Sequence, residues 1–243
     1  MTELLSLIFS HESAVVRKTS CHLLTSIMTN NRQVQEFASK SGALNLVGQF
    51  EREQSLQLKD AVFGSLAAWI KADNFEGKRR FINDTHGLDF LKRLLCDPAV
   101  NSTFNIRLKK RVMNLINDLV TNDDGIFEEQ PFFVRDFFCQ DINVLNTLAG
   151  ILTGANLENM QELVYRDTVL LILFRLHQRK PDLVGPLFTP ILYQHRAAIQ
   201  ALISSPQADA DLKEMLAEEL KRVDNALAAP SRPFVRNFEQ ETE

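Results

Sequence analysis

Five histidines, three cysteines and a few adjacent carboxylate pairs are the residues with which this chain could do chemistry. A zinc site needs Cys or His ligands at short, repeated spacings. His11, His22, His86, His177 and His195 never stand at such a spacing from another ligand type. Cys21, Cys96 and Cys139 are odd in number and far apart, so they read as ordinary thiols of a reducing compartment. Asp123/Asp124 and Glu128/Glu129 have the composition of an acid/base pair, but such a pair needs a cleft with convergent polar groups. Here both pairs lie in "NDDGIFEEQP", which reads as a solvated acidic loop. The chain has no phosphate-binding glycine loop, dinucleotide fingerprint, nucleophile elbow or metalloprotease motif. The expectation is a protein without catalytic residues, cofactor or metal, and not an enzyme.

What remains is a surface. Arg107, Lys109, Lys110 and Arg111 form a basic run at the head of a helical pattern. Within it Val112, Leu115, Ile116 and Leu119 make an apolar stripe. Arg111, Asn114 and Asp118, at i, i+3 and i+7, make a polar stripe beside it. Equivalent positions elsewhere are Thr19, His22 and Ser26, then Ala61, Gly64 and Ala68, then Thr168, Leu171 and Arg175. Small residues in the second set would admit a partner closely, and the basic run suits acidic groups. The competing structural roles are a solvated helix start, or an Arg111–Asp118 ion pair. Candidate partner-binding residues are therefore Arg111, then Lys110, Asn114, Asp118, His22, Arg107 and Arg175. Reversing the charge of Arg111 is expected to spare the core.

The elements that must hold these residues are helices. Of the 243 residues, 45% are hydrophobic and 24% charged, enough to build a core. A net charge of −4 argues against a phosphate-tracking nucleic-acid binder. Glycine is scarce, alternating patterns are almost absent, and apolar residues recur at three and four. No apolar run reaches membrane-spanning length; Arg175 halts the best, Thr168 to Phe174.

One pattern occurs four times: a basic residue followed by apolar or small residues at +3, +4, +7 and +10. Arg17 heads Ser20, Cys21, Leu24 and Ile27, and Lys59 heads Val62, Phe63, Leu66 and Trp69. Lys109 heads Val112, Met113, Ile116 and Leu119, and Arg166 heads Val169, Leu170, Leu173 and Leu176. The heads are 42, 50 and then 57 residues apart. A second frame recurs at a spacing of 44, where "EFASKSGALNLV" returns as "RFINDTHGLDFL". It pairs Phe37 with Phe81, Leu44 with Leu88, Leu46 with Phe90 and Val47 with Leu91. The first spacing lies within the roughly 40–47 residues of armadillo and HEAT units, which bury their apolar faces by stacking.

The longer spacings require insertions, for which Asp97 to Asn105, Asn122 to Pro131 and Gly154 to Gln161 are candidates. "FFVRDFFCQDINVLNTL" fits the frame only with a shift. The expected fold is all-α: an armadillo-like α-solenoid, a right-handed superhelix of helical repeats. Its units lie near 4–51, 52–97, 98–153 and 154–205. A helix is expected to begin near Pro190. A capping helix at 209–228 turns Leu212, Leu216, Leu220, Val223 and Leu227 inward, and a disordered tail at 229–243 follows. The sequons at Asn83 and Asn101 decide nothing without a secretory context, and "MTELLSLIFSHES" does not read as a convincing signal peptide.

Val15 to Val47, Leu56 to Leu91 and Ile106 to Val120 resemble the armadillo-type nucleotide exchange factors of heat shock protein 70 chaperones, the Fes/Sil/Hsp-binding-protein group. The resemblance is good from about Leu4 to Val120 and beyond that covers helical layout only. It implies a clamp without catalytic residues, whose concave face grips one lobe of the chaperone's ATPase domain so that ADP leaves. By position the group's groove arginine matches Arg111. The chain departs from the group in opening directly with "MTELLSLIF", where members carry a further helical segment. The asparagine usual in armadillo grooves is replaced by Ser26, Ala68, Asp118 and Arg175.

The resemblance makes the chaperone ATPase domain the expected partner of a cytoplasmic monomer that binds neither nucleic acid nor membrane. The endoplasmic-reticulum lumen is the alternative if a signal peptide is missing from this chain. The competing function is a generic armadillo scaffold for protein partners. Such scaffolds usually display ladders of groove asparagines and tryptophans, and Trp69 is the sole tryptophan here, on the apolar stripe.

Overall fold

The computed structural model describes residues 1–153, 166–194 and 196–204, with scattered positions between 210 and 224. Every element among them is a helix. In chain order these are α1 (Thr2–Ser10), α2 (Ala14–Met28), α3 (Arg32–Lys40), α4 (Asn45–Arg52) and α5 (Leu56–Ile70). Next come α6 (Phe75–Thr85), α7 (Gly87–Cys96), α8 (Pro98–Asn101), α9 (Ile106–Thr121) and α10 (Asp123–Ile126). The series ends with α11 (Phe133–Cys139), α12 (Ile142–Thr153), α13 (Arg166–Arg179), α14 (Pro181–Gln194) and α15 (Arg196–Ser204). The chain forms two compact units, Met1–Phe188 and Thr189–Glu243.

In the first unit the four long helices are the four copies of the apolar pattern. They pack in sequence: α2 on α5, α5 on α9, and α9 on α13. The short helices fill the intervals, with α3 against α5 and α6, and α7 against α9 and α12. Every residue of the four stripes is buried except Ile27, which is 38% exposed, and Met28 is buried in its copy instead. Small residues let α2 and α5 approach closely. Ser65 Oγ donates to the Cys21 carbonyl at 2.9 Å and lies 3.2 Å from Thr25 Oγ1.

The turns repeat with the same spacings as the apolar frames. Asn30 and Ala72, 42 residues apart, both have φ of 57° after a long helix. Gly42 (φ 102°) and His86 (φ 51°), 44 apart, both turn the chain between the two short helices. Asn31 and Asn74 cap the first short helix of each copy, accepting from the N–H groups of Val34 and Gly77.

The two frames are not packed alike. Phe81 is fully buried, whereas its counterpart Phe37 is 53% exposed. Position 87 explains the difference. A Cβ on Gly87 would stand 2.4 Å from the Phe81 ring, and the equivalent residue in the first copy, Ala43, carries that Cβ. Gly87→Ala should therefore push Phe81 off its seat and destabilise the fold by about 1–3 kcal/mol, as overpacked cores do. Thermal unfolding checks it; a melting temperature equal to wild type would contradict this packing.

In each copy a polar residue early in a short helix is tied to a long helix; in the first two it stands four residues past the capping asparagine. Gln35 Nε2 donates to the carbonyls of Met28 (3.1 Å) and Ala68 (2.8 Å). Its counterpart Lys78 is wholly buried and reaches Asp118 of α9. In the third copy Arg135 Nε donates to the Val120 carbonyl at 2.9 Å. Trp69 Nε1 likewise donates to Ser39 Oγ at 2.7 Å.

The acidic insertion differs from the expected solvated loop. Asp124, Glu128 and Glu129 are exposed, but Asp123 is fully buried. Its carboxylate accepts the N–H groups of Val134 (2.9 Å) and Arg135 (2.8 Å). It thus caps α11, whose own N-cap, Phe132, has no side chain that can accept a hydrogen bond.

The expected helix start near Pro190 is also corrected. α14 begins at Pro181, where a missing N–H costs nothing, and runs through Pro190 to Gln194. In the second unit Arg196 Nη2 meets Asp224 at 2.8 Å, and Leu216 and Leu220 of the expected closing helix are buried. Gly154 to Gln161, His195, Leu212, Val223, Leu227 and the tail 229–243 lie outside the described residues. The cysteines form no disulfide, with Cys21 and Cys139 buried and Cys96 at the end of α7. Burial pushes the Cys21 thiol up to about 12 and that of Cys139 to about 11, so both are inert in the native fold.

Candidate functional site

The candidate surface centres on the junction of α5 and α9. A cleft of about 160 Å³ opens there, lined by Ala67, Lys71, Arg111, Asn114, Leu115 and Asp118. Three of the residues singled out in the sequence, Arg111, Asn114 and Asp118, therefore come together. Lys110 and Asn114 are exposed on α9, and Arg107 is exposed at its head.

Arg111 does not project as a surface charge. Its Nη1 donates to the Asp60 carbonyl at 2.6 Å, and its Nε lies 3.4 Å from Asp60 Oδ1. The guanidinium rests on Gly64, where a Cβ would stand 2.3 Å from Nη1. Burial lowers the pKa of the guanidinium from its ordinary value, Asp60 opposes that, and the group stays charged. Arg107 Nε meets the other Asp60 oxygen at 3.2 Å. Asp60 is thus shared by two arginines, and reversing Arg111 would set a carboxylate against it. The expectation that such a change spares the core is corrected.

The small residues of α5 also serve the fold. Ala61, Gly64 and Ala68 are buried, so the space over Gly64 admits Arg111 and not a partner. Asp118 does not pair with Arg111. Its Oδ2 lies 2.8 Å from Lys78 Nζ, an ion pair whose angle falls outside hydrogen-bond geometry. Asn122 Nδ2 donates to its other oxygen at 3.3 Å. Asn114 Oδ1 accepts from Thr168 Oγ1 of α13 at 3.2 Å. His22 is exposed on α2 beside a separate cleft of about 310 Å³ that includes Lys18, Thr19 and Gln57. Arg175 is half-buried on α13.

Lys71 was missed. It is exposed at the end of α5 and lines the cleft from the side opposite Asn114. It lies 12 residues beyond Lys59, outside the stripe pattern, and only the α5–α9 packing brings it to the cleft. Lys71 and Lys110 are the cations on this side that no acidic side chain holds in a described ion pair, whereas Arg111 and Lys78 are committed to carboxylates. The arrangement suits reception of an acidic surface and offers no nucleophile–base pair. Among the described residues no group of His, Cys, Asp and Glu is placed to hold a metal ion. Among the same residues no helix is long and apolar enough to cross a membrane.

No family model matches the chain, and no curated protein matches it. Solved structures do. The crystal structure of an engineered protein from the Northeast Structural Genomics Consortium is similar at TM-score 0.56 and 13% identity, over 92% of this chain and 96% of that one. A second engineered protein from the same consortium reaches TM-score 0.48 at 12% identity, over 92% and 98% of the two chains. At such identities the first likeness establishes a shared helical fold and carries nothing about function.

Proposed function

We propose that this chain is an armadillo-like α-solenoid, a right-handed superhelix of helical repeats closed by its C-terminal helix. We further propose that it acts as a nucleotide exchange factor for a heat shock protein 70 chaperone. One observation carries the reading. The segments that resemble this group fall, in the group's order, on the consecutive long helices α2, α5 and α9 and on the short helices between them.

The mechanism is differential binding. An exchange factor holds the opened, nucleotide-free ATPase domain more tightly than the closed, nucleotide-bound one, and so shifts the population toward the open form. Its own residues need only dock. Lys71 and Asn114 are exposed in the α5–α9 cleft, Lys110 is exposed one turn before Asn114 on α9, and the three suit an acidic chaperone surface, with His22 and Arg107 as flanking contacts. Asp60, Arg111, Lys78 and Asp118 fix the helices that present them.

Linkage makes the reading testable. Nucleotide must weaken the complex by the same factor by which the complex weakens nucleotide binding, with coupling of about 5–150-fold typical of such systems. Calorimetric titration of the ATPase domain is expected to give tight binding without nucleotide and binding at least fivefold weaker with ATP. Equal affinity in both conditions would remove the exchange-factor reading and leave a generic armadillo scaffold in its place.

A further inference from the structure

A cavity of about 440 Å³ lies in the first unit, lined by the end of α7, by α8 and by α9 and α12. Leu94, Phe104, Val112, Met113 and Ile151 give it an apolar wall. Its neutral polar groups Asn101 and Thr147 are engaged elsewhere. The Asn101 amide donates to the Leu95 carbonyl at 2.9 Å, and Thr147 shares a hydrogen bond with the Cys96 thiol. Lys109, half-buried, is the one charged residue of the described lining, and that lining holds no carboxylate.

The preceding copy fills the same junction with its own rings. By the repeat spacings of 44 and 50, Phe50 and Phe63 are the counterparts of Leu94 and Met113, and Lys59 is the counterpart of Lys109. Phe50 and Phe63 are buried with ring centroids 5.8 Å apart, and Lys59 Nζ lies 5.1 Å from the Phe50 centroid. Phe104, part of the cavity wall, meets Phe50 edge to face at 6.2 Å. In the cavity's own copy both rings give way to smaller aliphatic side chains, so Lys109 has no ring at the place of Phe50. The connection is longer as well. Residues 97–105, with α8, join α7 to α9, where 53–55 alone join α4 to α5.

We infer that this cavity binds a small aromatic carboxylic acid. The ring of the ligand takes the place that phenylalanines fill in the preceding copy, against Leu94, Met113 and Phe104. Its carboxylate meets the Lys109 ammonium. The volume lies within the roughly 300–1,000 Å³ of small-molecule sites, and one polar anchor on an apolar wall is how such sites fix orientation. A cationic ligand would meet Lys109 with no carboxylate to receive it. The site shares no residue with the α5–α9 cleft and does not depend on the exchange-factor reading.

The probe is 2-naphthoic acid, titrated calorimetrically into the full chain to about 1 mM, where weak ligands still register. Saturable binding is expected, with a shift of the Met113 methyl resonance in protein labelled at the methionine methyls. Lys109→Gln, at a half-buried position, should keep the wild-type melting temperature. It should weaken binding of the acid about tenfold, the loss of one charge-assisted hydrogen bond, and leave binding of neutral 2-naphthalenemethanol unchanged. Leu94→Phe/Met113→Phe, which restores the rings of the preceding copy, should abolish binding of both. Should that variant fail to fold, the Lys109→Gln comparison decides alone. Absent saturation, saturation without the Met113 shift, or equal affinity of the acid for wild type and Lys109→Gln overturns the inference. So does a folded Leu94→Phe/Met113→Phe variant that binds as wild type does.

Discussion

Asp118→Ala is expected to destabilise the protein by about 3–5 kcal/mol, the cost of stranding a buried charge. Lys78, its partner, has no exposed side-chain surface, and its ammonium lies 2.8 Å from Asp118 Oδ2 and 5.6 Å from the Phe75 ring centroid. Without the carboxylate the ammonium has neither water nor a counter-charge. At about 2–4 °C per kcal/mol for a chain of this size, the melting temperature should fall by roughly 6–20 °C. Replacing both partners with apolar residues, as in Lys78→Met/Asp118→Leu, should restore most of the loss, since a buried pair adds little net stability over well-packed hydrophobes. An Asp118→Ala protein melting at the wild-type temperature would show that Asp118 is not committed to Lys78 and is available to a partner. A lost interaction in this variant is otherwise a folding effect.

Asp123→Ala is the second large effect, expected to cost about 2–4 kcal/mol. The substitution leaves the buried N–H of Val134 and the part-buried N–H of Arg135 without acceptors and removes the cap of α11. Denaturant unfolding checks it, and a midpoint unchanged from wild type would contradict the cap. The pH dependence has a defined sign. Burial raises the pKa of the Asp123 carboxyl, and the two backbone N–H groups only partly offset that. The folded state therefore holds this proton more tightly than the unfolded chain does. The proton-linked part of the Asp123 contribution is present below the unfolded carboxyl value and is lost as pH rises through the folded one, while the cap bonds to Val134 and Arg135 remain. Asp123→Asn should flatten that component of the stability profile.

Both effects arise from contacts that the sequence hides. Lys78 and Asp118 are 40 residues apart, and nothing in either local pattern links them. Asp123 looks like half of a solvated acidic pair, because an acidic run with Gly125 gives no sign that one carboxylate turns inward to cap a helix 11 residues on. The long helices, by contrast, were legible, because burial at +3, +4, +7 and +10 follows from helical period alone, with one exception, Ile27, where the adjacent Met28 takes the buried place. Turn positions were legible in part. Gly42 marks the left-handed turn in one copy, but its equivalent in the next is His86, a residue that pattern reading does not flag.

The candidate surface was half legible. Helical spacing set Arg111, Asn114 and Asp118 on one stripe, and the structure does bring them to one cleft. Spacing could not tell which charges are committed. Arg111 is drawn onto Asp60, 51 residues away, because Gly64 leaves room for its guanidinium. The exposed charges that remain for a partner are Lys110 and the unforeseen Lys71.

The most direct test of the account is the rate at which a fluorescent ADP analogue leaves a heat shock protein 70 chaperone, measured with this protein and with its Lys71→Glu/Lys110→Glu variant. The account predicts that wild type accelerates release. It predicts that the variant, with wild-type melting temperature, accelerates it at least tenfold less, since repelling an acidic partner at two points costs several kcal/mol. Release unaffected by wild type would contradict the function, and equal acceleration by wild type and variant would contradict the surface assigned to it.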